Sequence, residues 1–159
     1  MDAARSLVFL VVAPGVVAGL GPWLITGWRV EHDWGGLRVV GVILIAGGLL
    51  VLLDAFRLFV VEGRGTPAPV APTERLVVAG LYRYVRNPMY LAVGSIIVGQ
   101  ALLLGQAVLL AYAAAFGAVV FAFVRLYEEP TLARRFGREY DAYRRAVPGW
   151  RPRLRPWRP

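Results

Sequence analysis

The chain has no cysteine and a single histidine, His32. The first absence excludes a disulfide framework, a thiolate nucleophile and a cysteine-ligated metal, and the second excludes a histidine-cluster site, so no metal is expected. No Ser-His-Asp arrangement, GxGxxG turn or Walker loop occurs, which removes support for triad hydrolysis, Rossmann dinucleotide binding and P-loop phosphate transfer. Lysine is absent as well. All 18 basic residues are arginine, against 10 acids, for a net charge of +8. Such a balance can serve nucleic acid, but most of the arginines lie just outside long apolar runs, where membrane topology and anionic headgroups account for them. No nucleic-acid partner is expected.

What the chain has in excess is apolar sequence. At 58% hydrophobic residues and a mean hydropathy of +0.57, it is too apolar to present a polar surface to water, so lipid is the expected solvent. Four segments approach the ~20 residues needed to span a ~30 Å hydrocarbon core: Leu7 to Trp28, Leu37 to Val61, Met89 to Leu104 and Ala107 to Tyr127. The first is too long for a signal-peptide core and lacks a clear cleavage site, so it reads as a retained span. Its Pro14, Gly15, Gly19, Gly21 and Pro22 predict a kink or a close helix contact. The third and fourth are separated by Gly105-Gln106 alone, which predicts a tight antiparallel hairpin. The fold class is therefore an all-α integral-membrane protein of about four transmembrane helices. It forms one domain over residues 1–159, with two N-terminal spans in 1–61.

Between the second and third spans, Gly63 to Pro72 is punctuated by Pro and Gly and predicts an extended loop. Beyond the fourth span, Leu132, Phe136, Tyr140, Tyr143 and Val147 recur at three- and four-residue spacing among arginines, predicting one amphipathic helix over Thr131 to Val147. The loop from Arg29 to Arg38 carries two arginines offset by Glu31 and Asp33. The segment from Glu62 to Asn87 carries four, and the tail from Glu128 carries nine. The positive-inside rule then places both termini on the cytoplasmic side, with Arg64, Arg75, Arg83, Arg86 and the tail on one face.

The stretch from Gly80 to Tyr90 brings candidate chemistry to that face. Asn87 can cap a helix whose first residue is Pro88, and such a start, with Arg86 beside it, favours an anion. Tyr82, Tyr84 and Tyr90 offer flat faces and hydroxyls, either for a ligand or as an interfacial belt. Glu128 and Glu129 stand where the fourth span ends, and the dipole there disfavours acids. They either face the loop, where a ligand's hydroxyls or ammonium group would meet them, or pair with Arg125, Arg134 or Arg135. Asp54 lies deep in the second span, one turn from Arg57, and reads as a structural pair or a ligand contact. Gln100 reads as an interhelical hydrogen bonder, and His32 as a solvated loop residue.

These residues resemble a known pattern. Gly80 to Tyr90 is similar to the Gly-x-Tyr-x-x-x-Arg-(His/Asn)-Pro-x-Tyr signature of the isoprenylcysteine carboxyl methyltransferase-like family of membrane methyltransferases. Glu128-Glu129-Pro130-Thr131-Leu132, Phe136-Gly137-Arg138-Glu139-Tyr140, Tyr143 and Val147-Pro148 resemble its tail. The resemblance covers about Gly63 to Arg153 and implies S-adenosylmethionine as cofactor, bound on the cytosolic side. By that likeness Leu81, Tyr82, Val85, Arg86, Asn87, Pro88, Tyr90, Glu128 and Glu129 would form the cofactor site, with Arg86 meeting the methionine carboxylate. Arg86 and Glu129 would be the catalytic candidates, Glu129 as the base if the acceptor needs one. Asn87 stands where the family often has His and cannot titrate. The implied reaction is methyl transfer to a lipidic or apolar small molecule, a carboxylate above all, with Gly94, Ser95 and Gly99 leaving a gap open to lipid. Membrane lipids are the other expected partners, and oligomeric state is left open. Two alternatives compete: a sterol-reductase-like enzyme using NADPH, and a non-enzymatic protein whose basic tail binds anionic lipid.

Overall fold

The computed structural model describes residues 12–61 and 76–158, and every regular element among them is helical. The start of the predicted first span and the stretch from Gly63 to Pro72, with Arg64 and Arg75, lie outside the described residues. In chain order the helices are α1 (Val12–Thr26), α2 (Leu37–Val61), α3 (Pro88–Leu104), α4 (Ala107–Phe123), α5 (Glu129–Phe136) and α6 (Arg138–Ala146). A π-helical turn, Val124–Glu128, joins α4 to α5, so one helix runs unbroken from Ala107 to Phe136. That helix and Leu37–Leu58 are long and apolar enough to cross a membrane, whereas α1 and α3 are shorter apolar helices. Leu50, Val119 and Leu126 leave two-thirds or more of their surface uncovered, which suits lipid and not water.

The tightest packing is between α2 and α3, and glycine makes it possible. A Cβ added at Gly41 would stand 2.6 Å from the Gly99 carbonyl oxygen, and one added at Gly99 would stand 2.7 Å from the Gly41 carbonyl oxygen. A Cβ at Gly48 would meet the Ala92 carbonyl oxygen at 2.8 Å. Contacts therefore descend α3 as they ascend α2, so the helices are antiparallel, with backbones close enough for dispersion to replace the hydrophobic drive that lipid does not supply. Ser95 Oγ donates to the Leu44 carbonyl at 3.0 Å across the same seam. The expected lipid-open gap is absent at Gly99 and Ser95, because α2 fills it.

Two prolines explain two irregularities. Pro22 has no N–H, so neither Ala18 four residues back nor Val17 five residues back can receive a helical bond from it. The helix widens just before it, in a π-helical turn at Val16–Leu20. Both stranded carbonyls are met from other helices: Gln100 Nε2 donates to Ala18 O at 2.7 Å, and the Tyr112 hydroxyl donates to Val17 O at 2.9 Å. Gln100 Oε1 also accepts from Trp28 Nε1 at 3.0 Å. Of the kink or close helix contact expected here, the close contact is found, since a Cβ added at Gly21 would collide with the Tyr112 hydroxyl, and the interhelical role of Gln100 agrees with the sequence. Pro130 follows the second π turn in the same way.

At the end of the bundle away from the arginine cluster, α3 stops at Gly105 in the left-handed region, φ +64°. Its freed carbonyls find partners in the loop after α1. Glu31 N–H donates to Leu104 O at 2.9 Å, and Gln106 Nε2 returns a bond to Arg29 O at 3.0 Å. His32 is more tied than a free loop residue, with Nδ1 3.3 Å from Gly105 O.

The tail departs from expectation. Instead of one amphipathic helix there are two, α5 and α6, broken at Gly137, whose φ +51°, ψ −123° only glycine adopts readily. Tyr140, Tyr143 and Val147 form a small core there, packed against Leu132, Phe136, Leu76, Val78 and Trp157.

Candidate functional site

The loop from Gly80 to Asn87 begins as a single 3-10 turn, Gly80–Arg83. Tyr82 plugs into α2 against Ala55 and Leu58, beside Val77, which anchors the turn. Its carbonyl accepts a bond from the Tyr143 hydroxyl at 2.7 Å, tying the loop to α6. Val85 is buried and Leu81 half-buried, and the Leu81 carbonyl receives the amides of Tyr84 and Val85.

Residues 148–157 then fold back over this loop as a strap, which no periodicity or motif announces. Arg86 N–H donates to Pro148 O at 3.0 Å, Arg153 N–H to Tyr84 O at 2.9 Å and Trp157 N–H to Arg83 O at 2.9 Å. Arg83 Nε returns a bond to Trp157 O at 2.7 Å. Gly149 lies buried against the loop, where an added Cβ would stand 3.2 Å from Arg86 Nη2 and 3.4 Å from Asn87 Nδ2.

Arg86 is the centre. Its Nη1 donates to Glu129 Oε1 at 2.9 Å and to the Tyr140 hydroxyl at 3.0 Å. Glu129 Oε2 is held by Arg144 at 3.1 Å and Arg125 at 3.4 Å. The side chains of Arg86 and Glu129 are 12% and 6% exposed, so the pair is buried, a situation tolerated only when charges are matched and hydrogen-bonded. Glu128 turns the other way and accepts from the Tyr90 hydroxyl at 2.9 Å.

These positions decide four expectations. The acids do not end a helix, because the chain continues through the π turn into α5, and no terminal dipole opposes them. Of the arginines weighed as partners, Arg125 pairs with Glu129, whereas Arg134 donates to Thr131. Asn87 occupies the cap position before Pro88 without making the cap, since its side chain lies under Gly149. Asp54 and Arg57 form no ion pair; Asp54 instead faces Gly80, whose added Cβ would be 3.5 Å from Oδ2.

Three buried donors among the described residues have no partner, Nη1 of Arg153 in the strap and, at the centre of this cluster, Arg86 Nε and Asn87 Nδ2. Buried polar atoms are seldom left unpaired, and the two at the centre ask for an acceptor. The tyrosines around them stay protonated. Burial above all pushes the hydroxyls of Tyr82, Tyr140 and Tyr143 above the usual tyrosine range, and for Tyr82 the neighbouring Tyr143, Glu128, Tyr90 and Asp54 add to it. The chemical capacity of the cluster is thus to bind an anion, with hydroxyl donors beside it. Glu129, with both oxygens engaged, is poorly placed to take a proton. Sequence reasoning missed Arg144, Gly149 and the contact of Tyr140 with Arg86. Tyr140 was visible only as part of a motif, and nothing local marked Arg144 among its neighbouring arginines.

Comparison with known proteins supplies the class of chemistry. The family model for phospholipid methyltransferases matches residues 37–139, from the start of α2 into α6, and spans Arg86, Glu128 and Glu129. No curated protein and no solved structure matches the chain. With well over half of its length matched, and with apolar helices fit for a bilayer, the chain belongs to the phospholipid methyltransferase family of membrane methyltransferases.

Proposed function

We propose that the chain is an S-adenosylmethionine-dependent methyltransferase whose cofactor's carboxylate is received by Arg86 and Asn87. The observation that carries this reading is the pair of unpartnered buried donors, Arg86 Nε and Asn87 Nδ2. A carboxylate supplies the acceptors they lack. S-adenosylmethionine supplies a methyl group already activated on a sulfonium, so the protein's task is chiefly positioning. Tyr82, Val85, Leu81 and Pro88 fix the loop, Tyr90 orients Glu128, and Glu128 is the acid left for the cofactor's ammonium or ribose. Glu129 orients Arg86 and is not the base. A lipidic acceptor that is already ionised, a carboxylate, fits a site without a free base better than one needing deprotonation. The four apolar helices are assigned to the membrane, with both termini and the site on the cytoplasmic face, from the arginine excess at that end.

Titration calorimetry of the detergent-solubilised full chain tests the reading. S-adenosylhomocysteine is expected to bind and NADPH to give no heat. Absence of any S-adenosylhomocysteine signal in folded protein overturns it. Gly149→Ala is expected to weaken that binding about three- to tenfold, because its methyl group crowds Arg86 Nη2 and Asn87 Nδ2, while thermal stability changes little.

A further inference from the structure

Arg86 has two carboxylates for company. Glu129 accepts from it at 2.9 Å, and Glu128, the preceding residue, acts on the same guanidinium through space. One cation against two anions would repel a ligand carboxylate. Arg125 and Arg144 reverse that balance by closing on Glu129 Oε2 at 3.4 and 3.1 Å, which sets three guanidiniums against two carboxylates. Their placement also divides the labour of Glu129: Oε1 fixes Nη1 of Arg86, Oε2 is consumed elsewhere, and Arg86 Nε remains buried and unpaired. Arg125 comes from the turn before Glu129. Arg144 comes from α6, beyond the break at Gly137, so it joins the cluster only when the tail docks.

We propose that Arg144 and Arg125 are positioning residues for anion recognition, offsetting Glu129 so that Arg86 retains positive charge for the ligand's carboxylate. The proposal rests on the cofactor reading above. Both act through Glu129 and not by contact with the ligand. Their side chains are 43% and 53% exposed, so solvent screens them and the effect is moderate and salt-dependent.

The test titrates full-length protein with two ligands: S-adenosylhomocysteine, and 5'-methylthioadenosine, which keeps the nucleoside and thioether but lacks the amino-acid end. Arg144→Gln and Arg125→Gln are each expected to weaken S-adenosylhomocysteine about three- to tenfold and to leave 5'-methylthioadenosine within about twofold. Arg144→Lys, which keeps the charge, is expected to restore most of the loss, and the penalty should shrink as salt rises. Equal weakening of both ligands, the mark of a merely structural role, overturns the proposal, and so does unchanged S-adenosylhomocysteine affinity in both Gln variants. Arg125→Gln carries the same comparison if Arg144→Gln does not fold. Wild-type protein that binds neither ligand overturns the cofactor reading itself; wild-type binding with indifferent variants overturns only this inference.

Discussion

Arg86→Ala is expected to weaken S-adenosylhomocysteine binding by about a hundredfold or more, roughly 3 kcal/mol, and to abolish methyl transfer. The size follows from burial. Arg86 is the charged group whose Nε lacks a partner, so its removal takes away the ligand's charge-assisted bond together with the side-chain bonds to Glu129 and Tyr140, while the main-chain bonds between loop and strap remain. The fold itself should survive. Glu129 retains Arg125 and Arg144, so no unpaired buried charge is left behind, and the apparent unfolding temperature should fall by only a few degrees. Arg86→Lys separates charge from geometry. Its ammonium can still meet Glu129, but it has neither the fork nor the Nε, and affinity is expected between the wild type and the alanine variant. Calorimetry with thermal unfolding on the three proteins checks this, and wild-type affinity in Arg86→Ala would remove the arginine from the site.

Gly99→Val should produce the largest loss of stability. A Cβ at this position collides with the Gly41 carbonyl oxygen at 2.7 Å and the Ile45 amide nitrogen at 3.0 Å, both backbone atoms that cannot rotate away. The two helices must separate, and the Ser95 bond to Leu44 goes with them. We expect a cost of about 3 kcal/mol or more, seen as an unfolding temperature lower by roughly 6–12 °C or as failure to recover folded protein. Gly47→Val is the control. Gly47 lies on the same helix as Gly41, but an added Cβ meets nothing within 4 Å, so the change should stay within about 0.5 kcal/mol. Equal tolerance of both substitutions would contradict the close α2–α3 contact.

What could be read from the residues follows from how local each signal is. Pro88 announces a helix start through its own ring, and α3 begins there. Gln100 in an apolar run needs a partner wherever the chain goes, and it found one on α1. The π turn in α1 follows from the missing N–H of Pro22. Glycine was harder, because its meaning depends on what approaches it. Gly99 suggested a gap for lipid, but a bare backbone serves equally to admit another helix, and here it admits α2. Asn87 promised a cap, and the strap from Pro148 onward took precedence over it. No periodicity marks that strap, since its bonds run between main chains and reach back about 70 residues. Glu128 and Glu129 read as a helix end because the apolar run stops at Tyr127; a π turn instead carries the helix on past Pro130 and brings Glu129 to Arg86.

The most direct test of the central claim, that the arginine-rich end is a methyl-transfer site, is label transfer in reconstituted membranes. Full-length protein is incubated with S-adenosylmethionine carrying a labelled methyl group, and the organic extract is examined for labelled lipid. Label is expected in an apolar product with wild-type protein and none above background with Arg86→Ala. Folded wild-type protein that binds S-adenosylhomocysteine yet leaves the extract unlabelled across a full cellular lipid extract, or Arg86→Ala that labels it as well as the wild type, would contradict it.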